Sequence, residues 1–135
     1  MIILTKEDAL ATAQVMIDKK AQDVVLLEIS KVVTYADYFV LCSGRSTVQV
    51  KAIANAIEEY FRTRKVPPLH IEGYTEGRWV LLDYDEVIVH VFLEEARNFY
   101  DLERLWRHVP RTDFEEYSMP EEYKRPAEVF PLNDY

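Results

Sequence analysis

The run YFVLCS at residues 38–43 is apolar at nearly every position and is closed by Gly44, and it restricts the possible folds more than any other stretch of the chain. A strand with one face in water alternates apolar and polar residues, whereas a strand without alternation needs cover on both faces. The chain must therefore build a sheet with material packed on either side. One covering layer follows directly. Ser46 with Gln49 forms a capping signal, after which Val50, Ile53, Ala54, Ile57 and Phe61 recur at helical spacing. Upstream, Thr5 and Asp8 mark another helix start, Leu10, Ala13 and Ile17 define its apolar face, and Lys19 and Lys20 place positive charge at its end, where the helix dipole favours it.

The remaining elements fall around this centre. VVLLEIS (24–30) reads as a second strand. Val66, Pro67 and Pro68 stop the second helix, LHIEG (69–73) adds a short strand, and RWVLLDYDEVIVHVF (78–92) gives two antiparallel strands around Tyr84, Asp85 and Glu86. Phe99, Leu102, Leu105 and Trp106 outline a final short helix. Strands alternating with helices and finished by a hairpin predict one α/β domain over residues 1–109, with a mixed β-sheet and flanking helices. A chain of 135 residues buries roughly two thirds of its unfolded surface, so this core needs no disulfide or metal staple. Residues 110–135 are expected to form an acidic, Pro- and Tyr-containing extension. From Arg111 onward it holds seven acids against three bases, with Pro120, Pro126 and Pro131 breaking any regular element, and Tyr117, Tyr123, Val129 and Phe130 available to pack on the body or across a twofold partner.

Charge and composition narrow the function. The formal net charge is −8, the opposite of what a phosphate-neutralising surface needs, so extensive nucleic-acid contact is disfavoured and a basic protein partner is favoured. No stretch approaches the roughly 20 apolar residues of a membrane span, and the N-terminus lacks a secretory or transit pattern. With one cysteine, Cys42, inside an apolar run, the expected setting is the reducing cytoplasm.

The candidate chemical motifs have plain structural readings. CSGRS (42–46) joins a strand to a helix and could cradle an anion, but it lacks the G-K-[ST] ending of a P-loop, leaving a tight turn with a helix cap. Cys42 has no base placed beside it. His70, His90 and His108 show no paired ligand spacing, so no metal or cofactor is expected. Asp83 and Asp85 form a D-x-D pair behind a glycine/serine turn, the pattern of magnesium-dependent nucleotidyltransferases, and this is the alternative reading. The following strand offers only His90 where a further carboxylate is needed, and aspartate is a common turn former. Trp79 either fills the core or anchors an interface.

Three blocks, ADYFVLCSGRS (36–46), WVLLDYDEVIVHVF (79–92) and FYDLERLW (99–106), closely resemble the Iojap family, the ribosomal silencing factors, in the same order. The similarity runs from about Leu4 to Trp106 and leaves the segment after roughly Val109 outside. Asp85 departs from the glycine common at that position, which alters the turn and not its flanking strands. The resemblance implies a nucleotidyltransferase-like topology without the catalytic set, hence no catalytic residues and no enzyme. It further implies docking on the large ribosomal subunit through ribosomal protein L-fourteen, obstruction of small-subunit joining, and lowered translation when nutrients are short. Carried onto this chain, the partner-binding residues are Trp79, Leu81 and Asp83 on one face of the first hairpin strand, with Tyr84 nearby and His90 on the second strand. Tyr100, Glu103 and Trp106 are secondary candidates, and a homodimer is compatible with the same reading.

Overall fold

The computed structural model describes residues 2–114. In chain order these form α1 (Lys6–Asp18), β1 (Gln22–Glu28), β2 (Tyr38–Gly44), α2 (Thr47–Thr63), β3 (His70–Glu72), β4 (Trp79–Asp83), β5 (Val87–Leu93), α3 (Glu94–Tyr100), α4 (Leu102–Leu105) and β6 (Arg111–Phe114). The strands make a single six-stranded sheet in the order β3-β4-β5-β2-β1-β6. Only β2 and β5 run parallel, with Val40 opposite Val89 and Leu41 opposite His90, and the other neighbours are antiparallel. The mixed sheet with flanking helices is the architecture expected from the sequence, and the run at 38–43 occupies an interior strand buried on both faces.

The two faces carry different cores. α1 and α2 cover one face, and Leu10, Ala13, Val50, Ile53, Ile57 and Phe61 pack onto Val24, Leu26, Val40, Cys42, Val80, Leu82, Val89 and Val91. The opposite face holds Val25, Leu27, Phe39, Leu41, Ile88 and Phe92, covered by Ala96 with Leu102, Trp106 and Val109. Seven- and four-residue helices thus cover one side, against thirteen and seventeen residues on the other.

Local chemistry fixes the covering helices. At α1, Asp8 accepts from the Thr5 N–H at 3.0 Å, satisfying a donor at the helix start. The same buried carboxylate accepts from Tyr60 Oη at 3.0 Å and from Arg64 Nε at 2.8 Å, tying the start of α1 to the end of α2. Burial alone would raise its pKa, but the Arg64, Thr5 and Tyr60 bonds together outweigh burial and hold the carboxyl below its usual value. At α2, Ser46 Oγ accepts from the Gln49 N–H at 3.1 Å, and Gln49 Oε1 reaches back to the Arg45 N–H at 2.7 Å.

The final part of the chain differs from expectation in two ways. The single short helix is two, because Asp101 adopts a left-handed backbone (φ 49°) and breaks it; Phe99 and Leu105, part of the apolar pattern that outlines it in sequence, are 79% and 77% exposed. Residues 111–114, assigned from sequence to an irregular extension, form β6 on the edge of the sheet against β1. A buried ion network holds it there. Arg97 donates to Glu103 Oε1 at 2.8 Å, to the Asp23 carbonyl and to Ser43 Oγ, and Glu103 pairs with Arg111 at 2.8 Å. Tyr117, Tyr123, Val129 and Phe130 lie outside the described residues.

Leu41→Ala removes a fully buried side chain from the central strand and is expected to cost about 3 kcal/mol in urea denaturation. Val48→Ala, at an exposed position of α2, is expected to stay within about 0.5 kcal/mol of the parent.

Candidate functional site

Strand periodicity places Trp79, Leu81 and Asp83 on one face of β4, each half-buried, while Val80 and Leu82 between them point under α2. Across the ladder, Trp79 lies opposite Phe92, Leu81 opposite His90 and Asp83 opposite Ile88. This side of the sheet is the one left to α3 and α4, and their cover does not close over β4.

The result is a continuous aromatic cluster that reaches the surface at Trp79 and Tyr100 over buried Phe39, His90 and Phe92. The Trp79 indole stacks on Phe92 (centroids 4.9 Å, 29°) and leans on Tyr100 (5.0 Å). Phe39 meets His90 edge-on at 4.8 Å and Trp106 edge-on at 5.3 Å. Phe99, Tyr100 and Leu105 add exposed apolar area alongside. A large aromatic held half-open on a rigid strand brings wide contact area at little conformational cost, which is what an interface anchor requires.

His90 sits beneath this surface, 3% exposed. Trp79 Nε1 donates to His90 Nδ1 at 3.1 Å. An indole nitrogen can only donate, so Nδ1 must hold a lone pair and the neutral ring carries its proton on Nε2. Burial drives the imidazole pKa down to about 3. His90 therefore orients Trp79 from below as a neutral acceptor, and the partner-facing role falls to the indole.

Asp83 ends the row. Its Oδ1 accepts from the Asp85 N–H at 2.9 Å, and Asp85 has a left-handed backbone (φ 76°), so the pair builds the hairpin turn. The two aspartates do not lie along one strand face. Among the described residues, no group of three His, Cys, Asp or Glu side chains is arranged to hold a metal ion. Cys42 is fully buried and its thiol is pushed up to about 12 by burial, which keeps it out of nucleophilic chemistry.

Other residues carried over from the resemblance lie elsewhere. Tyr84 is only 2% exposed and packs on the opposite face, stacked on Phe61 at 3.8 Å. Glu103 turns away from Trp79 into the Arg97–Arg111 network, which holds its carboxyl below the usual range against the effect of burial. Tyr100 and Trp106 do border the aromatic surface. Phe39 and Phe92, which support it, carried no sequence signal beyond strand propensity, and Arg97 is a charged residue whose burial nothing local foretells.

His90 is held well below an unfolded histidine's pKa of about 6.5, so between pH 6.5 and about 3 the unfolded chain binds the extra proton and stability falls with acidity. From pH 6.5 to 4.5, above the range of the low-lying carboxyls, the slope is expected to approach about 1.4 kcal/mol per pH unit. Urea denaturation of His90→Phe across that range is expected to lose most of this slope.

Comparison with known proteins bears on the family and the fold. The family model described as "Ribosomal silencing factor during starvation" matches residues 4–131 and so extends past Val109, beyond the resemblance visible in the sequence blocks. The Bacillus subtilis protein named "Ribosomal silencing factor RsfS" is 40% identical over 98 residues, which span 73% of this chain and 83% of that protein. The mouse protein named "Mitochondrial assembly of ribosomal large subunit protein 1" is 31% identical over 91 residues, 65% of this chain and 40% of its own length. A crystal structure of a Chromobacterium violaceum protein superposes with a TM-score of 0.75 at 29% identity, over 86% of this chain and 98% of that one. The chain belongs to the ribosomal silencing factor family.

Proposed function

We propose that the chain represses translation by docking its aromatic face on the large ribosomal subunit through ribosomal protein L-fourteen, where its bulk blocks joining of the small subunit under nutrient limitation. The observation that carries this reading is the half-exposed row of Trp79, Leu81 and Asp83, with Tyr100 beside it, on the side of the sheet that the short helices leave uncovered. Family membership points to the ribosome, and the mouse relative's name refers to the large subunit. The resemblance of the three sequence blocks supplies L-fourteen and the joining step.

The chemistry of the face suits such a partner. Trp79 and Leu81 supply an apolar anchor, and Asp83 keeps a carboxylate oxygen beyond the one engaged in the turn for a Lys or Arg. A net charge of −8 favours a basic protein patch and disfavours the phosphate-rich RNA around it. Steric exclusion needs no bond made or broken, because its extent follows from affinity and concentration alone. The cytoplasm is where such a factor would act, and among the described residues no helix is long and apolar enough to cross a membrane.

In a sucrose gradient at modest salt the full-length chain is expected to travel with free large subunits. Trp79→Ala is expected to weaken this by tenfold or more, roughly the effect of losing an interface hot spot. Asp83→Asn keeps an acceptor for the turn while removing the charge and is expected to weaken association less, whereas Asp83→Lys should reduce it severely. Co-sedimentation that is absent, or indifferent to all three changes, would remove the proposal.

A further inference from the structure

Phe114, the last residue of β6, forms one wall of a cleft on the α1–α2 side of the sheet, with a volume of about 470 Å³. Its floor is apolar. Ile17 comes from α1, Ala21 from the turn that follows, and Val24 from β1, and all three pack with Phe114 in the core beneath the long helices.

Its rim is cationic. Lys20, in the left-handed turn after α1 (φ 62°), and Arg45, just before the Ser46 cap of α2, are exposed and line the cleft, and no acid among the described residues does. The acids nearest in sequence belong to other surroundings: Asp18 accepts from Gln14 Nε2 at 2.9 Å within α1, and Asp23 lines the separate recess around Arg97. The start of α2 adds charge of the same sign. Its first turn carries no acid to offset the helix dipole, whereas α1 has Glu7 and Asp8 there and α3 has Glu94 and Glu95. On a molecule of net charge −8, this is a concavity that favours a carboxylate with an apolar neighbour.

The chain's own direction brings such a group to the rim. β6 runs antiparallel to β1 with Phe114 opposite Val24, so the residues that follow are aimed past Asp23 toward Gln22, which also lines the cleft. They are Glu115, Glu116 and Tyr117. Two residues of extended chain cover about 7 Å, and strand alternation puts Glu116 on the side of Phe114, which is the side of the cleft. β1 begins at Gln22. Past that point a continued ladder has no partner strand, and Tyr117 is the first apolar side chain released from the alternation.

We propose that residues 115–119 of this same chain close over the cleft, with the Glu116 carboxylate set between Lys20 and Arg45 and the Tyr117 ring laid on Ile17 and Ala21. Pro120, which has no N–H to give a ladder, bounds the segment. The contact is independent of ribosome docking, since the cleft lies on the side of the sheet opposite the Trp79 row.

The test uses the full-length chain in solution at low salt. In a nuclear Overhauser spectrum the Tyr117 ring protons are expected to contact the methyl groups of Ile17 and Ala21. Glu116→Gln keeps the size of the side chain and removes its charge, and it lies beyond β6, where it disturbs no element of the sheet. This variant is expected to weaken those contacts and to raise the rate at which acetic anhydride modifies Lys20 by roughly threefold, the scale of an exposed ion pair. Lys31, also exposed, provides the reference rate that stays unchanged. Tyr117 contacts that are absent, or that fall on residues 94–103 instead, would overturn the proposal, as would Lys20 reactivity indifferent to Glu116. Contacts found only between differently labelled chains in a mixture would assign the segment to a second copy and overturn it equally.

Discussion

The parallel pairing of β2 with β5 is the constraint from which the rest follows. Both strands are buried along almost their whole length, so every backbone group must be satisfied within the ladder and every side chain must meet packing on its own side. A parallel pair cannot be joined by a tight turn, and here the crossover consists of α2, β3 and β4. Its helix goes to one face. Its returning strand, β4, has to enter beside β5 in antiparallel sense through the turn at Asp83–Glu86. That route spends the longer helices on one side and leaves the other to two short ones.

Function in this account grows from that imbalance. Where α1 and α2 lie, Val80 and Leu82 vanish into the core. One residue along, Trp79 and Leu81 remain half-open, because α3 packs mainly on β5 and β2 and meets β4 through Tyr100 against Trp79. Beneath them the polar groups are few and specific. His90 accepts from the Trp79 indole and fixes the angle at which it meets a partner. At the far edge, Arg97, Glu103 and Arg111 bind the short helices and β6 into one network. Such a network costs desolvation and contributes chiefly by fixing arrangement, which suits a face that must be rigid to recognise anything.

Much of this was legible in the residues themselves. Unbroken apolar runs imply interior strands, so β2 and the hairpin were evident, and the period of Val50, Ile53, Ile57 and Phe61 identified α2 with its cap. The twofold alternation that puts Trp79, Leu81 and Asp83 together also puts Tyr84 with Val80 and Leu82, which is where it lies, whereas the family resemblance names it as a partner-binding residue near that row. Two features escaped for a shared reason. The break at Asp101 depends on a left-handed backbone that aspartate only tolerates. β6 is a charged four-residue segment whose strand character comes from an edge offered by β1 and a cation held by Glu103. Neither is a property of the local sequence. Both are imposed by tertiary context, as is the burial of Arg97.

Hydrogen–deuterium exchange on the complex with isolated large subunits addresses the docking face most directly. Amides of residues 79–83 and 99–106 are expected to gain protection on binding, while those of residues 6–18 and 47–63 keep the rates of the free protein. Protection gained over the α1 and α2 helices, with residues 79–83 unchanged, would contradict the assignment of the aromatic face.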